Sequence, residues 1–284
     1  MPNDGRNGLR VCRLVAEYPF EGKATYGLQP VFYNLSLEQA RRGHDVHVIA
    51  RRQSASAPAE EVYQGINVHR VESPFTVNAF KRLRSLVNEE RDGPAVVHTH
   101  ATSGVFLAAL KGAVSAPLVS HVHGTTRSPY MPVVLKYGEI ELGYSPLKVA
   151  LAFTREKALW SAADRVLAVS SAVKHDLTSN YGIRPERVNV VYNGVDTDIF
   201  RPDSDQTIPI SKALEGKKVI LYVGHFGLRK GIFYLIQAMK RIAKERDDVV
   251  LVCIGGVPNW LGDRRFWSYL QSFIDQNNLR NKVH

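Results

Sequence analysis

The 284-residue chain predicts an α/β fold built on a doubly wound parallel sheet. Strand-like and helix-like segments alternate from Val11 onward, the pattern of successive βαβ units. The strand-like segments are nearly continuous apolar runs, such as Val-Val-Leu-Val-Cys-Ile over 249–254, and such runs mark strands covered on both faces. Between them, apolar residues return at helical spacing, as Val31, Phe32, Leu35, Leu37 and Ala40 do before the stop signal of Gly43.

The elements follow in order. Val11–Glu17 reads as a buried strand, and the loop from Pro19 to Gly27, with Gly22 near its middle, leads into the first helix. Val46–Ala50 is the next strand, which closes a βαβ unit. Val68–Val71 is a short strand and Val77–Glu90 a basic amphipathic helix. Ala95–His98 is a strand feeding His100, Gly104–Gly112 a small-residue helix, and Leu118–Val122 a strand feeding His123. The segment from Pro129 to Ala163 is expected to form two helices broken around Gly143–Pro146. Arg165–Val169, Ser171–Tyr181 and Val188–Tyr192 continue as strand, helix and strand.

Residues 201–216 change character, with Pro202, Pro209 and a polar run over 203–206 and no sustained period; these are linker properties. A fresh strand–helix–strand–helix series then runs through Val219–Val223, Gly231–Glu245, Val249–Ile254 and Arg264–Asn277. The expected division is therefore a first domain over 9–200, a linker over 201–216 and a second domain over 217–284. Two strands fall short of the roughly five or six of a doubly wound domain, so the second domain is expected to be incomplete, its third strand beginning at Val283-His284.

Composition narrows the class. No apolar run approaches the roughly 20 residues that span a bilayer, and Met1–Gly8 is polar, so a cytoplasmic location is expected. Cys12 and Cys253 sit in Val-rich runs with no CxxC partner and read as buried thiols. The net charge of +10 is spread over short clusters such as Arg41-Arg42 and Lys217-Lys218. None is interleaved with aromatics, which disfavours nucleic acid and leaves a solvated basic face or an anionic membrane surface as its partner. In Pro129–Ala163, Leu147, Leu151, Phe153, Leu159 and Trp160 mix with Lys136, Lys148, Arg155 and Lys157, either an internally packed helix or a basic amphipathic element at a membrane.

The most specific local signal is Val223-Gly224-His225-Phe226-Gly227-Leu228-Arg229-Lys230-Gly231, which follows a strand and opens a helix. Such a junction offers free N–H groups and the positive end of the helix dipole to an anion, and Arg229 and Lys230 add full charges suited to a diphosphate. It matches neither GxGxxG nor the Walker pattern, which disfavours NAD and ATP. Two His-x-His pairs, His98 with His100 and His121 with His123, sit at strand ends. Residues i and i+2 share one face, so each pair either binds ligand at the C-terminal sheet edge or packs as hydrogen-bonded core. A metal is not expected there, since no matching carboxylate stands at a nearby strand end. Residues Glu17–Gly27 form either a ligand loop or a surface loop, and Asn193-Gly194-Val195-Asp196 is a turn that redirects the chain toward the linker.

Taken together, these strings resemble glycosyltransferase family 4 of the GT-B fold. Gly43-His44-Asp45-Val46, Val97-His98-Thr99-His100, His123-Gly124, Ala163-Asp164-Arg165-Val166, Asn193-Gly194-Val195-Asp196 and Gly224 through Gly231 occur in the family's order. The resemblance implies two Rossmann-like domains, the first for the acceptor and the second for a nucleotide-diphosphate-sugar donor. It further implies sugar transfer with retention to a glycan or lipid-linked acceptor, without a metal or other cofactor. Residue by residue, it implies that Lys230 stabilises the leaving diphosphate together with Gly224, His225, Arg229 and Gly231. His123 would lie near the transferred sugar, and Gly27, His100 and Gly124 near acceptor or sugar. Three departures stand out. Gly27-Leu28 has one glycine where the family has two, and His225 stands where an arginine is usual, with Arg229 as a candidate substitute. The family's paired-glutamate segment falls outside residues 1–284, so an acceptor-binding module without donor carboxylates is the competing expectation.

Overall fold

The computed structural model describes the chain outside residues 1–7, 20–26, 90–92, 127–133, 138–139, 144–145, 203–213, 228–229 and 258–260. By contact, the chain divides into one unit of residues 1–128 with 146–196 and another of 129–145 with 197–284.

The first unit is built on strands β1 (Arg10–Leu14), β2 (Asp45–Arg51), β3 (Glu60–Tyr63), β4 (Ile66–Val71), β5 (Ala95–His100), β6 (Leu118–Val122), β9 (Arg165–Ala168) and β10 (Val188–Val190); the hairpin of β7 (Val134–Tyr137) and β8 (Ile140–Gly143), between β6 and β9 in sequence, falls in the second unit. The sheet order is β10-β9-β6-β5-β1-β2-β4-β3. All neighbours pair parallel except β3, which folds back on β4. Helices α1 (Gln29–Arg41), α2 (Val77–Asn88), α3 (Leu107–Leu110), α4 (Pro146–Ala162) and α5 (Ser171–Ser179) lie between the strands in sequence. One core joins Leu14, Val97 and Val122 to Leu83, Trp160 and Leu177; a second joins Val15, Val46 and Val48 to Phe32. The order reverses at β1, which lies between β2 and β5. A doubly wound sheet opens its ligand crevice at such a reversal, outside the carboxyl ends of the strands.

The second unit has β11 (Lys218–Val223) and β12 (Val249–Ile254) paired parallel, with α6 (Ile232–Glu245) and α7 (Leu261–Gln276). Phe226, Ile236, Met239, Leu251, Phe266 and Leu270 form its core. Val283 bridges Leu251 in parallel register, and His284 N–H donates to the Leu251 carbonyl at 2.8 Å. That is where the sequence places the start of a third strand.

Three elements differ from the sequence pattern. The two helices expected over 129–163 are instead the β7–β8 hairpin followed by the single helix α4. Val134, Tyr137 and Ile140 are strand-favouring types, and β8 contacts α7, which draws 129–145 to the second unit rather than to a 9–200 domain. The helix expected over 104–112 shrinks to α3 and one 3₁₀ turn, with Gly104 at φ +80. Strand β3 has no apolar alternation to announce it, since its half-buried positions are Glu61 and Tyr63 and its exposed ones Glu60 and Val62.

Candidate functional site

At the sheet reversal, β5, β6 and the turn after β6 place four histidines in one stack beneath α1, beside Arg13 of β1. Register sets His100 opposite His121 and His98 opposite Arg13, and the i, i+2 rule puts His98 with His100, and His121 with His123, on the same face. The stack steps inward from the carboxyl edge. His123 is half-buried, His100, His121 and His98 are 1%, 4% and 7% exposed, and His98 is the farthest of them from the carboxyl edge, opposite Arg13. Ring centroids of His121 and His123 are 4.5 Å apart, of His100 and His121 5.0 Å, and of His98 and His100 4.4 Å. His100 Nδ1 and His123 Nε2 share a hydrogen bond of 2.9 Å. Phe32 of α1 covers the stack, its ring 4.6 Å from that of His100.

Burial keeps these imidazoles neutral. It pulls His121 down to about 4 and His123 to about 3, with Arg13 adding to the first and His121 to the second. His98 and His100 are lowered by burial, then by neighbouring charges. Arg13 itself is fully buried, and its guanidinium is lowered to about 10 by desolvation. It donates to Ser36 Oγ and Gln39 Oε1 of α1 and lies 3.4 Å from His98 Nδ1. No carboxylate pairs with it among the described residues.

One nitrogen from each of His98, His100 and His121 lies within 4.8 Å of the others, the spacing of a candidate metal triad. The donor set speaks against that use. A metal-bound histidine donates its other N–H to an acceptor, but at His98 the other nitrogen faces a guanidinium, which only donates.

The His123-Gly124 turn is held from below. Glu156 of α4 accepts from the Thr126 N–H at 3.0 Å, the Thr126 hydroxyl at 2.6 Å and the Tyr181 hydroxyl. Asp176 of α5 accepts from the Thr125 hydroxyl and from the Asn180 amide. Gly124 is exposed on this anchored turn. Gly27 is exposed at φ +64, two residues before α1 and with open space about its Cβ position, while the rest of the first loop, 20–26, lies outside the described residues. Arg70 fixes the strand exit by donating to the carbonyls of Tyr18 at 3.1 Å and Pro19 at 3.0 Å.

In the second unit, Gly224–Gly231 joins β11 to α6. Gly231 caps α6 in the left-handed region at φ +72. Lys230 is exposed, with its N–H on the Gly227 carbonyl at 3.0 Å. The His225 carbonyl accepts from the Tyr222 hydroxyl at 2.7 Å. Arg229 lies outside the described residues. The turn rests on the exit of β12: a Cβ on Gly255 would meet the Gly224 carbonyl oxygen at 1.9 Å, so only glycine permits this approach. Asn193, Gly194 and Asp196 are exposed at the end of the first unit, after β10.

Arg13, Glu156, Asp176 and Gly255 escape sequence reading as site residues. Arg13 alone carried a signal, a charge in the middle of the apolar run Val-Cys-Arg-Leu-Val.

Comparison with known proteins follows this division. The family model for Glycosyltransferase Family 4 matches residues 26–199, and that for Glycosyl transferases group 1 matches 203–284. An uncharacterised glycosyltransferase of Methanocaldococcus jannaschii is 27% identical over 97% of the chain and 68% of its own length. The D-inositol 3-phosphate glycosyltransferase of Segniliparus rotundus is 28% identical over 81% of the chain and 53% of its own length, and the alpha-maltose-1-phosphate synthase of Mycolicibacterium smegmatis 28% over 88% and 62%. The chain thus spans between 53% and 68% of these relatives' length. Among solved structures, sucrose-phosphate synthase from Thermosynechococcus elongatus superposes with a TM-score of 0.67 at 16% identity, covering 97% of this chain and 69% of that one. Anabaena HepE in complex with UDP-glucose gives 0.62 at 17%, covering 96% and 67%. These superpositions establish the GT-B fold, and with the family matches over both units the chain belongs to glycosyltransferase family 4.

Proposed function

We propose that the protein transfers a sugar from a nucleotide-diphosphate-sugar donor to an acceptor, with retention and without a resident metal. The observation that carries this is the Gly224–Gly231 turn at the N-terminus of α6, where Lys230 stands exposed beside the positive end of the helix dipole. The complexes of HepE with UDP and with UDP-glucose support a donor of that class. Lys230, with Gly224, His225, Arg229 and Gly231, would hold the diphosphate, and negative charge growing on it in the transition state is what the lysine and the N–H groups stabilise. In the first unit, His123 is held neutral and therefore offers a hydrogen bond rather than a charge to the transferred sugar. His100, Gly124 and Gly27 would complete the acceptor side. The acceptor is a glycan or a lipid-linked saccharide.

The test is calorimetric titration of the protein with UDP, ADP and GDP. One nucleotide binds, and Lys230→Ala weakens it by about tenfold or more, as expected when a charge-assisted hydrogen bond of about 1.5–3 kcal/mol is removed. Unchanged affinity in that variant refutes the assignment of Lys230.

A further inference from the structure

We infer that the histidine stack over Arg13 is an oxyanion cradle, which takes one oxygen of a phosphate or carboxylate group between His98, His100 and His121. The inference rests on the β5–β6 edge being the acceptor side, and it adds an anionic group to what that side binds.

Counting hydrogens leads to it. Arg13 can only donate, so His98 Nδ1 accepts and the neutral ring carries its proton on Nε2. That N–H is buried and has no partner. Both nitrogens of His121 are buried and unpartnered, so its single N–H also lacks an acceptor. His100 and His123 spend one N–H on each other, which leaves one on either His100 Nε2 or His123 Nδ1, both unpartnered. Three buried N–H donors of the cluster therefore lack an acceptor, beside a guanidinium that no described carboxylate neutralises. A buried charge of this kind is costly unless paired, and an anion answers both deficits together.

Size agrees. One nitrogen from each of His98, His100 and His121 lies within 4.8 Å of the others, and at that upper limit a central oxygen would be about 2.8 Å from each, an N–H···O distance. Water would satisfy the N–H groups but would leave Arg13 uncompensated.

Thermal unfolding of the protein at pH 7.5 and matched ionic strength tests this, with potassium chloride as reference against inorganic phosphate, glucose 6-phosphate and glucose. The expected result is a saturable rise in the unfolding midpoint with phosphate or glucose 6-phosphate, absent with glucose. A rise with phosphate alone identifies the free anion as sufficient, and a rise with glucose 6-phosphate only identifies a phosphorylated acceptor. In either case His121→Val weakens binding at least tenfold, and Arg13→Met does the same if it folds. Lys230→Ala retains the rise, which separates this site from the donor turn and leaves the donor assignment to be judged by nucleotide titration. No rise with either anion, or an equal rise in His121→Val, overturns the inference and makes the stack a hydrated structural network.

Discussion

Single side chains set the proton state of the first unit. His121 and His123 are shifted to about 4 and 3 by burial before any other cause, and His47 and His69, stacked 5.2 Å apart under α2, move down for the same reason. A histidine lowered in the folded state is neutral there while the unfolded chain already binds its proton, so stability rises with pH across the interval. The contribution is complete above about 6.5 and is lost as pH falls through the folded values. Asp248, held down to about 2 chiefly by Arg246, titrates below that window. The unfolding free energy is therefore expected to fall between pH 6.5 and 4, each responsive imidazole adding up to about 1.4 kcal/mol per pH unit. His121→Val should flatten the slope, and an unchanged slope by denaturant titration at stepped pH would contradict the assignment.

At the scale of elements, two buried carboxylates tie the site turn to the helices beneath it. Glu156 receives three hydrogen bonds from Thr126 and Tyr181, and it is 8% exposed. Glu156→Ala strands the Thr126 N–H and the Tyr181 hydroxyl, at about 1–3 kcal/mol for each buried group left unpaired. A lowered unfolding midpoint is expected together with weaker acceptor binding, because the His123-Gly124 turn loses its anchor. Glu156→Gln should recover part of both, and identical stability in the alanine variant would refute the anchoring role. This anchor was invisible in sequence, because Glu156 is one charge among several in a mixed helix and its partners lie 25 and 30 residues away. By contrast, the strands that carry the histidines were legible, since each is a short apolar run ending in His-x-His. The β7–β8 hairpin was misread because Leu135, Tyr137, Ile140 and Leu142 suit strand as well as helix. That His98 and His121 belong with His100 and His123 was legible only as far as shared faces; the register between β5 and β6 brings the pairs together.

Across the whole molecule, the family matches meet near residue 200, close to where contacts divide the chain. Of the motifs in the sequence, Val97–His100, His123-Gly124 and Gly224–Gly231 lie at or just after strand exits, where an open parallel sheet binds its ligands. The net charge of +10 finds a candidate use on α4. Its second half packs inward through Leu159 and Trp160, whereas Leu147 and Leu151 are 77% and 48% exposed beside the exposed Lys148 and Arg155. Among the described residues no helix is long and apolar enough to cross a membrane, so any contact would be at the headgroup surface. Sedimentation with vesicles is expected to retain more protein when they contain anionic lipid, and Leu147→Ser with Lys148→Ser should abolish the difference; equal retention on neutral vesicles counts against this role.

The most direct test is release of nucleoside diphosphate from a panel of UDP-, ADP- and GDP-sugars, with and without candidate acceptors. The expected result is turnover of one donor, stimulated by an acceptor and reduced at least about tenfold in both His123→Ala and Lys230→Ala. Binding of a nucleotide sugar with no transfer or hydrolysis under any acceptor, or turnover indifferent to both substitutions, would contradict the account.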